Sequence, residues 1–231
     1  MASRCWAIEG GRRKPREDTK IYTLYHGIQT GSAGPLALLD LVGAPYRTVS
    51  IDINAPDHPT AELLAVNPLG QIPVVAMPGG GIVTESAAMM IAIADDHPES
   101  GMAPATDAPE RPAFLGWMVY LAANVYPAVR RYFFSGEIAE SETARDEVRR
   151  MAMKEVQRDW RAMEARLDPA PYLLGESPSA LDLYTAMLSR WAIEQDWFRE
   201  ACPKLAAARD RIEAVPKVAA VWRENFRNFT E

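Results

Sequence analysis

The sequence predicts an α/β unit followed by an all-helical unit, and three observations support this fold class. Short runs of β-branched and aromatic residues with a strand pattern occur only in the first hundred of the 231 residues. A proline-rich segment follows, and beyond it apolar residues recur every three or four positions, which is the spacing of helices. Because 48% of the residues are apolar, the chain can build substantial cores.

The first unit opens with a predicted β-α-β arrangement. Residues 21–25 (IYTLY) are β-rich and too few for a helix, and Pro35 then begins an apolar helix that stops at Gly43. Alternation of apolar and polar residues next predicts a second strand with one buried face. Its apolar positions are Val49, Ile51 and Ile53.

The rest of the first unit is predicted to be a helix, a hairpin and a helix. A short helix at 60–66 is followed by the turn residues 67–70. Segments 74–77 and 82–83 flank Pro-Gly-Gly-Gly and predict an antiparallel hairpin, and an apolar helix is expected at 86–94. The predicted order is therefore β-α-β-α-β-β-α.

The second unit is predicted to be entirely helical. Further helices are expected at 113–134, 180–194, 203–214 and 216–229, besides one whose apolar stripe runs from Val148 to Leu167. Prolines at positions 98, 104, 109 and 112 predict a linker between the units. The predicted division is a flexible extension (1–20), an α/β domain (21–98), a linker (99–112) and a helical domain (113–231).

Composition argues against several classes of protein. A net charge of −6 without basic clusters disfavours nucleic acid as a partner, and no apolar run is long enough to span a membrane. Cys5 and Cys202 are the only cysteines and have no CxxC spacing, so neither a disulfide framework nor a metal site is expected. We expect a cytoplasmic protein.

The segment 67–75, Asn-Pro-Leu-Gly-Gln-Ile-Pro-Val-Val, resembles the NPxGxxP segment of the cytosolic glutathione transferase family. In that family the last proline follows a cis peptide bond, and the residue before it pairs its main chain with the cysteinyl backbone of glutathione. The resemblance implies a thioredoxin-like first domain, a cis bond before Pro73, and glutathione contacts at Gln71, Ile72 and Pro73. Considered alone, an Ile-Pro pair would favour a trans bond at the start of an edge strand.

Two further motifs extend the resemblance over nearly the whole chain. Residues 84–86 (Thr-Glu-Ser) are similar to the family's pair that holds the γ-glutamyl end of glutathione. A helix N-terminus and the Ser86 hydroxyl suit a carboxylate, and Glu85 suits an ammonium, although a simple helix cap would use the same letters. Residues 179–182 (Ser-Ala-Leu-Asp) resemble the family's capping box, whose role is structural.

The loop after the first strand contains the candidates for catalysis. A free thiol with a pKa of about 8.5 is only a few per cent ionised at pH 7, so the family works by stabilising the glutathione thiolate. Bacterial relatives carry a loop cysteine where this chain has Gly31, so no thiol stands there for a mixed-disulfide mechanism. Ser32 is the first candidate for the hydroxyl donor, Thr30 the second and Tyr25 the third. A helix cap without a catalytic duty is the alternative role of Ser32.

The resemblance implies a homodimeric, detoxifying enzyme that uses glutathione as co-substrate, requires no metal and conjugates an apolar electrophile. Tyr120 and Asn124, one turn apart on a predicted helix, are the candidates for the second-substrate pocket. Aromatic residues at this spacing also commonly fill cores. Two alternatives stay open: a non-catalytic glutathione-transferase-like binding or regulatory protein, and a glutathione-dependent thiol-disulfide reductase, which Gly31 disfavours.

Overall fold

A four-stranded mixed sheet forms the centre of the first domain in a computed structural model that describes residues 21–191 and 193–226. The sheet order is β2-β1-β3-β4, with β1 parallel to β2 and antiparallel to β3, and β3 antiparallel to β4. The strands are β1 (Tyr22–His26), β2 (Tyr46–Ser50), β3 (Val74–Ala76) and β4 (Ile82–Thr84). The predicted extension 1–20 and the end of the last predicted helix lie outside the described residues.

Three helices alternate with these strands: α1 (Ala33–Val42), α2 (Ala61–Val66) and α3 (Ser86–Asp96). The observed order is β-α-β-α-β-β-α, so the thioredoxin-like fold class is confirmed. The second strand begins and ends earlier than its apolar alternation predicts. Its register pairs Tyr22 with Tyr46 and His26 with Ser50, and β2 therefore ends where its partner β1 ends.

The second domain is helical, as predicted. Its helices are α4 (Arg111–Tyr120), α5 (Tyr126–Phe133), α6 (Glu142–Arg166), α7 (Ala180–Leu188), α8 (Gln195–Ala201), α9 (Pro203–Glu213) and α10 (Pro216–Asn225). Helix α7 stops earlier than predicted, and the Ser189 hydroxyl there donates to the Ala186 carbonyl at 2.9 Å, a local bond that competes with helix continuation. The bounds of the linker, 99–112, stay a prediction.

Helix α7 lies at the centre of the molecule. All nine of its residues are buried. At its start the Asp182 carboxylate accepts hydrogen bonds from the backbone N–H groups of Ser179 (2.8 Å) and Leu173 (2.9 Å) and from the Ser179 hydroxyl (2.9 Å). The structural role predicted for this capping box is confirmed, because the carboxylate reaches back to the residue before the helix.

A single hydrophobic core joins the two domains. Buried apolar residues of α1 and α3 pack in one cluster with those of α4 and α7, including Leu38, Met90, Phe114 and Tyr184. An ion pair reinforces this contact, since Arg111 of α4 donates two hydrogen bonds to Asp95 of α3, at 2.6 and 2.7 Å. The relative placement of the two domains is therefore fixed by packing as well as by charge.

Within residues 21–191 and 193–226, no helix combines the length and apolar character that a membrane crossing requires. The same residues include no group of three or more histidine, cysteine, aspartate or glutamate side chains placed to hold a metal ion.

Candidate active site

A cavity of about 520 Å³ lies between the edge of the first domain and helix α5 of the second. The first domain contributes the loop residues Gln29, Thr30 and Gly31 and the turn residues Leu69, Gly70, Gln71 and Ile72. The helical domain contributes Tyr126, Val129, Arg130, Phe133, Phe134 and Trp191. The lining also includes Ile53, Asn54, His58 and Pro59 of the first domain and Glu137 of the second. Polar and apolar side chains thus occur on both sides, and the Tyr, Phe and Trp side chains lie on the side of the helical domain.

The turn at residues 67–73 is held by a buried asparagine. The Asn67 side chain donates to the Gln71 carbonyl at 2.8 Å and accepts from the Leu69 N–H at 3.1 Å. Gly70 has φ +64°, and a Cβ there would lie 2.6 Å from Pro59, so this position requires glycine. The Ile72–Pro73 bond is cis, as predicted. Gln71 and Ile72 are thereby placed in the cavity wall.

Two non-glycine residues within the described ranges have positive φ, and both border this region. Gln29 (φ 59°) lines the cavity, and Glu85 (φ 67°) precedes α3. Such conformations cost of order 1 to 3 kcal/mol and concentrate at functional sites. Ser86 is the first residue of α3, and its buried hydroxyl donates to Tyr184 Oη at 3.1 Å. Neither Glu85 nor Ser86 is among the residues that line the cavity.

The hydroxyls of Thr30 and Ser32 belong to a closed hydrogen-bond network. Ser32 Oγ lies 2.7 Å from His26 Nδ1 and 2.7 Å from Thr30 Oγ1, and it accepts from the Gly27 N–H at 3.2 Å. Thr30 Oγ1 donates to the Gly27 carbonyl at 2.8 Å, and Ser32 Oγ lies 3.1 Å from that same oxygen. Ser32 is 0% exposed, whereas Thr30 reaches the cavity wall. Tyr25, the third hydroxyl candidate, packs in a small separate cluster with Leu63 and Val74.

Backbone N–H groups at the start of α1 are also occupied. The Gly34 N–H donates to Met187 Sδ at 3.2 Å, and the Ala33 N–H donates to the Thr30 carbonyl at 3.3 Å. Burial lowers the pKa of His26, with the charge of Glu224 acting in the opposite direction. The imidazole is therefore biased towards its neutral form, which suits its short contact with Ser32.

Tyr126 closes the cavity opposite Gly31. A Cβ built at Gly31 would lie 2.2 Å from Tyr126 Oη and 3.1 Å from Cζ. Burial raises the pKa of Tyr126 to about 12. The charge of Arg130 and the Gly31 backbone oppose this shift, and the charge of Glu85 reinforces it. The phenol therefore stays protonated at neutral pH and occupies the space in which a side chain at position 31 would lie.

The two predicted second-substrate residues do not line this cavity. The Tyr120 hydroxyl donates to the Asp159 carbonyl at 3.0 Å, and the Asn124 amide donates to the Tyr120 carbonyl at 3.1 Å. The apolar side of the cavity is formed instead by side chains one to four turns further along the same helical stretch and by Trp191. Phe133 and Phe134 remain 49% and 42% exposed there.

Tyr126 was not among the residues that the sequence predicted for the site. Two signals pointed to it. Gly31 breaks the pattern of the related loops, and Pro127 interrupts a helical stretch, where it removes an N–H donor. Which side chain would fill the space at Gly31 depends on packing between residues that are far apart in the sequence, and no local pattern encodes this.

The sheet order, the turn with its cis proline and a cavity between the two domains define a thioredoxin-like domain joined to a helical domain. Residues 32–96 match the family model for the N-terminal domain of glutathione S-transferases. The uncharacterised GST-like protein YncG of Escherichia coli K12 is 29% identical over 198 residues, which cover 84% of this chain and 94% of that protein. The chain is therefore similar to glutathione S-transferase proteins, by the family model in its first domain and by this relative over most of its length.

Solved structures share this fold. A glutathione transferase homologue from Sulfitobacter, with bound glutathione, superposes with a TM-score of 0.76 at 24% identity, covering 87% of this chain and 97% of that one. A sphingomonad glutathione S-transferase complexed with glutathione gives a TM-score of 0.73 at 25% identity and the same coverage. The similarity therefore extends through both domains.

Proposed function

We propose that this protein is a glutathione S-transferase that ionises the thiol of bound glutathione for attack on a small, largely apolar electrophile. The observation that carries this proposal is the cavity between the domains, in which the loop and the cis-proline turn of the first domain face the Tyr, Phe and Trp side chains of the helical domain. Such a site suits one peptide-like ligand and one apolar ligand side by side. The Sulfitobacter and sphingomonad structures, which contain glutathione, support the choice of ligand.

Glutathione would be held mainly by the first domain. Ile72 and Gln71 offer backbone groups at the turn fixed by Asn67, beside Pro73. Glu85 and Ser86, at the N-terminus of α3, have the chemistry to pair with the ammonium and the carboxylate of the γ-glutamyl end. Reaching them requires glutathione to extend past the cavity towards α3.

The reaction depends on the ionisation of the thiol. Lowering the pKa of the thiol by about two units from about 8.5 requires about 2.7 kcal/mol of differential stabilisation. Thr30 and Ser32 are the hydroxyl candidates from the loop, and Thr30 is the one that reaches the cavity. The electrophile would pack against the aromatic wall near Phe133 and Trp191. A role for Tyr120 and Asn124 in that pocket, a cytoplasmic location and a homodimer stay predictions.

Two measurements test this proposal. Calorimetric titration with glutathione measures binding, and the ultraviolet absorbance of the thiolate in the complex, followed across pH, gives the pKa of the bound thiol. We expect binding together with a pKa at least one unit below the free value of about 8.5. Thr30→Val and Ser32→Ala, compared in the same assay, separate the two loop hydroxyls. Absence of glutathione binding would refute the proposal.

A second candidate function is a glutathione-binding protein without transferase activity. The observation that favours it is the closed network in which the hydroxyls of Thr30 and Ser32 are already engaged with Gly27 and His26. This alternative predicts binding of glutathione with an unshifted thiol pKa, so the pH titration distinguishes the two functions. A reductase would need an accessible thiol; Cys202, the cysteine within the described residues, is buried, and burial raises its pKa to about 12.

A further inference from the structure

The Tyr126 hydroxyl occupies the space that a side chain at position 31 would need. A Cβ at position 31 would meet Tyr126 Oη at 2.2 Å, well inside normal contact distance, so any side chain at 31 would compete with the phenol for the same volume. Gly31 has no positive φ that would by itself demand glycine. The requirement for glycine there is therefore steric, and Tyr126 is what imposes it.

The hydroxyl protons of the site are not equally available. Those of Thr30 and Ser32 are used within the loop, where the Gly27 carbonyl accepts from both hydroxyls and His26 Nδ1 lies 2.7 Å from Ser32 Oγ. Tyr126 Oη lies beside Gly31, and among the described residues it donates no hydrogen bond. A ligand at the cavity could therefore accept this proton without breaking an existing bond.

The helix that carries Tyr126 has an irregular turn immediately before it. Residues 121–125 form a π-helical segment between α4 and α5, in which the Tyr126 N–H donates to the Leu121 carbonyl, five residues back. One additional residue in a turn changes the direction of every later side chain by about 100°. Such segments occur frequently at functional sites. Tyr126 directly follows this turn and faces Gly31, and its ring also packs against Trp191 with 5.9 Å between centroids.

We propose that Tyr126, from the helical domain, donates the hydrogen bond that stabilises the glutathione thiolate. This inference rests on the proposed function and names its hydroxyl donor. The phenol replaces, from the opposite wall, a donor that the loop does not present. Because burial keeps the phenol protonated at neutral pH, the group remains a donor throughout the range in which the thiol ionises.

The test compares the pKa of the glutathione thiol in complexes with the wild type, Tyr126→Phe and Tyr132→Phe. Phenylalanine keeps the ring against Trp191 and removes only the hydroxyl. Tyr132 lies on the same helix and outside the cavity lining, so it is the matched control. We expect Tyr126→Phe to raise the pKa of the bound thiol by about one unit, which is a tenfold decrease in its ionisation constant. Tyr132→Phe should leave it unchanged.

Glutathione binding at low pH serves as the second readout. There the thiol is neutral, so Tyr126→Phe should change the dissociation constant by less than about twofold if the hydroxyl acts mainly on the thiolate. Should Tyr126→Phe fail to fold, a fluorinated tyrosine placed at position 126 keeps the shape of the ring and makes the phenol a stronger donor. The pKa of the bound thiol should then fall below the wild-type value.

The outcomes separate the two proposals. A lowered thiol pKa in the wild type that persists in Tyr126→Phe, or that is insensitive to ring fluorination, overturns the role of Tyr126 and leaves the transferase function standing. A wild type that binds glutathione without lowering its thiol pKa overturns both. A shift lost in Tyr126→Phe and retained in Tyr132→Phe supports both.

Discussion

Replacement of Gly31 by alanine tests the steric relation between the loop and α5. The added Cβ would lie 2.2 Å from Tyr126 Oη, so the phenol or the loop must move by roughly 1 Å to restore normal contact. Overpacking of this kind costs about 1 to 3 kcal/mol. Removal of the hydroxyl relieves most of the clash, because the nearest ring atom, Cζ, would be 3.1 Å away.

We therefore expect Gly31→Ala to lower the free energy of unfolding by about 2 kcal/mol in the wild type and by less than about 1 kcal/mol in Tyr126→Phe. Urea denaturation followed by tryptophan fluorescence and circular dichroism measures both costs. Gly116→Ala is the control, since a Cβ on that exposed α4 residue meets no atom within 4 Å. Equal costs of Gly31→Ala in the two backgrounds would refute the reasoning.

Three further predictions concern stability. Asp182→Ala leaves two buried backbone N–H groups without their acceptor and should lower the free energy of unfolding by about 3 kcal/mol, measured with denaturant. A loss below about 1 kcal/mol would contradict the structural role of the capping box. Arg111→Ala removes the bidentate ion pair with half-exposed Asp95 and should lower the free energy of unfolding by about 2 kcal/mol. Arg111→Lys should recover only part of this loss. An unchanged unfolding midpoint in Arg111→Ala would argue against a stabilising role of this ion pair between the domains. Burial lowers the pKa of His26 below 6.5, so the folded chain binds fewer protons than the unfolded one. The contribution of His26 to stability is complete above about pH 6.5 and is lost as the pH falls. In His26→Asn, the free energy of unfolding measured between pH 5 and 8 should therefore depend less on pH. An equal pH dependence in the variant and the wild type would assign the effect to other groups.

The elements of the first domain could be predicted because their signals are local. Pro35 and Gly43 mark α1, and the turn residues 67–70 with Pro73 mark the segment that lines the cavity. The end of β2 could not be read from its apolar alternation, because it depends on where the partner strand β1 ends. The local sequence pattern indicates which residues alternate along a strand, whereas pairing with the neighbouring strand sets where the strand ends.

The candidate site divides in the same way. The turn at Ile72 is encoded by adjacent residues, whereas the state of a hydroxyl depends on what surrounds it. Ser32 precedes α1 as expected, yet its Oγ is fully buried and bonded within the loop. Tyr126 follows the π-helical turn and lies in the site against Gly31, which is 95 residues earlier in the chain. Sequence patterns report such contacts poorly, because they describe neighbours in the chain and not the packing of distant residues.

A donor on α5 would make thiolate stabilisation depend on how the domains pack. The glutathione backbone contacts proposed at Ile72 need only the first domain, while the direction of Tyr126 depends on the π-helical turn and on Trp191, both in the second. Weakening of the interdomain contact, for instance at the Arg111–Asp95 pair, should therefore raise the pKa of the bound thiol before it abolishes glutathione binding. A donor in the loop would show no such order, since it would move together with Ile72. The order in which the lowered thiol pKa and glutathione binding are lost thus indicates which domain supplies the hydroxyl.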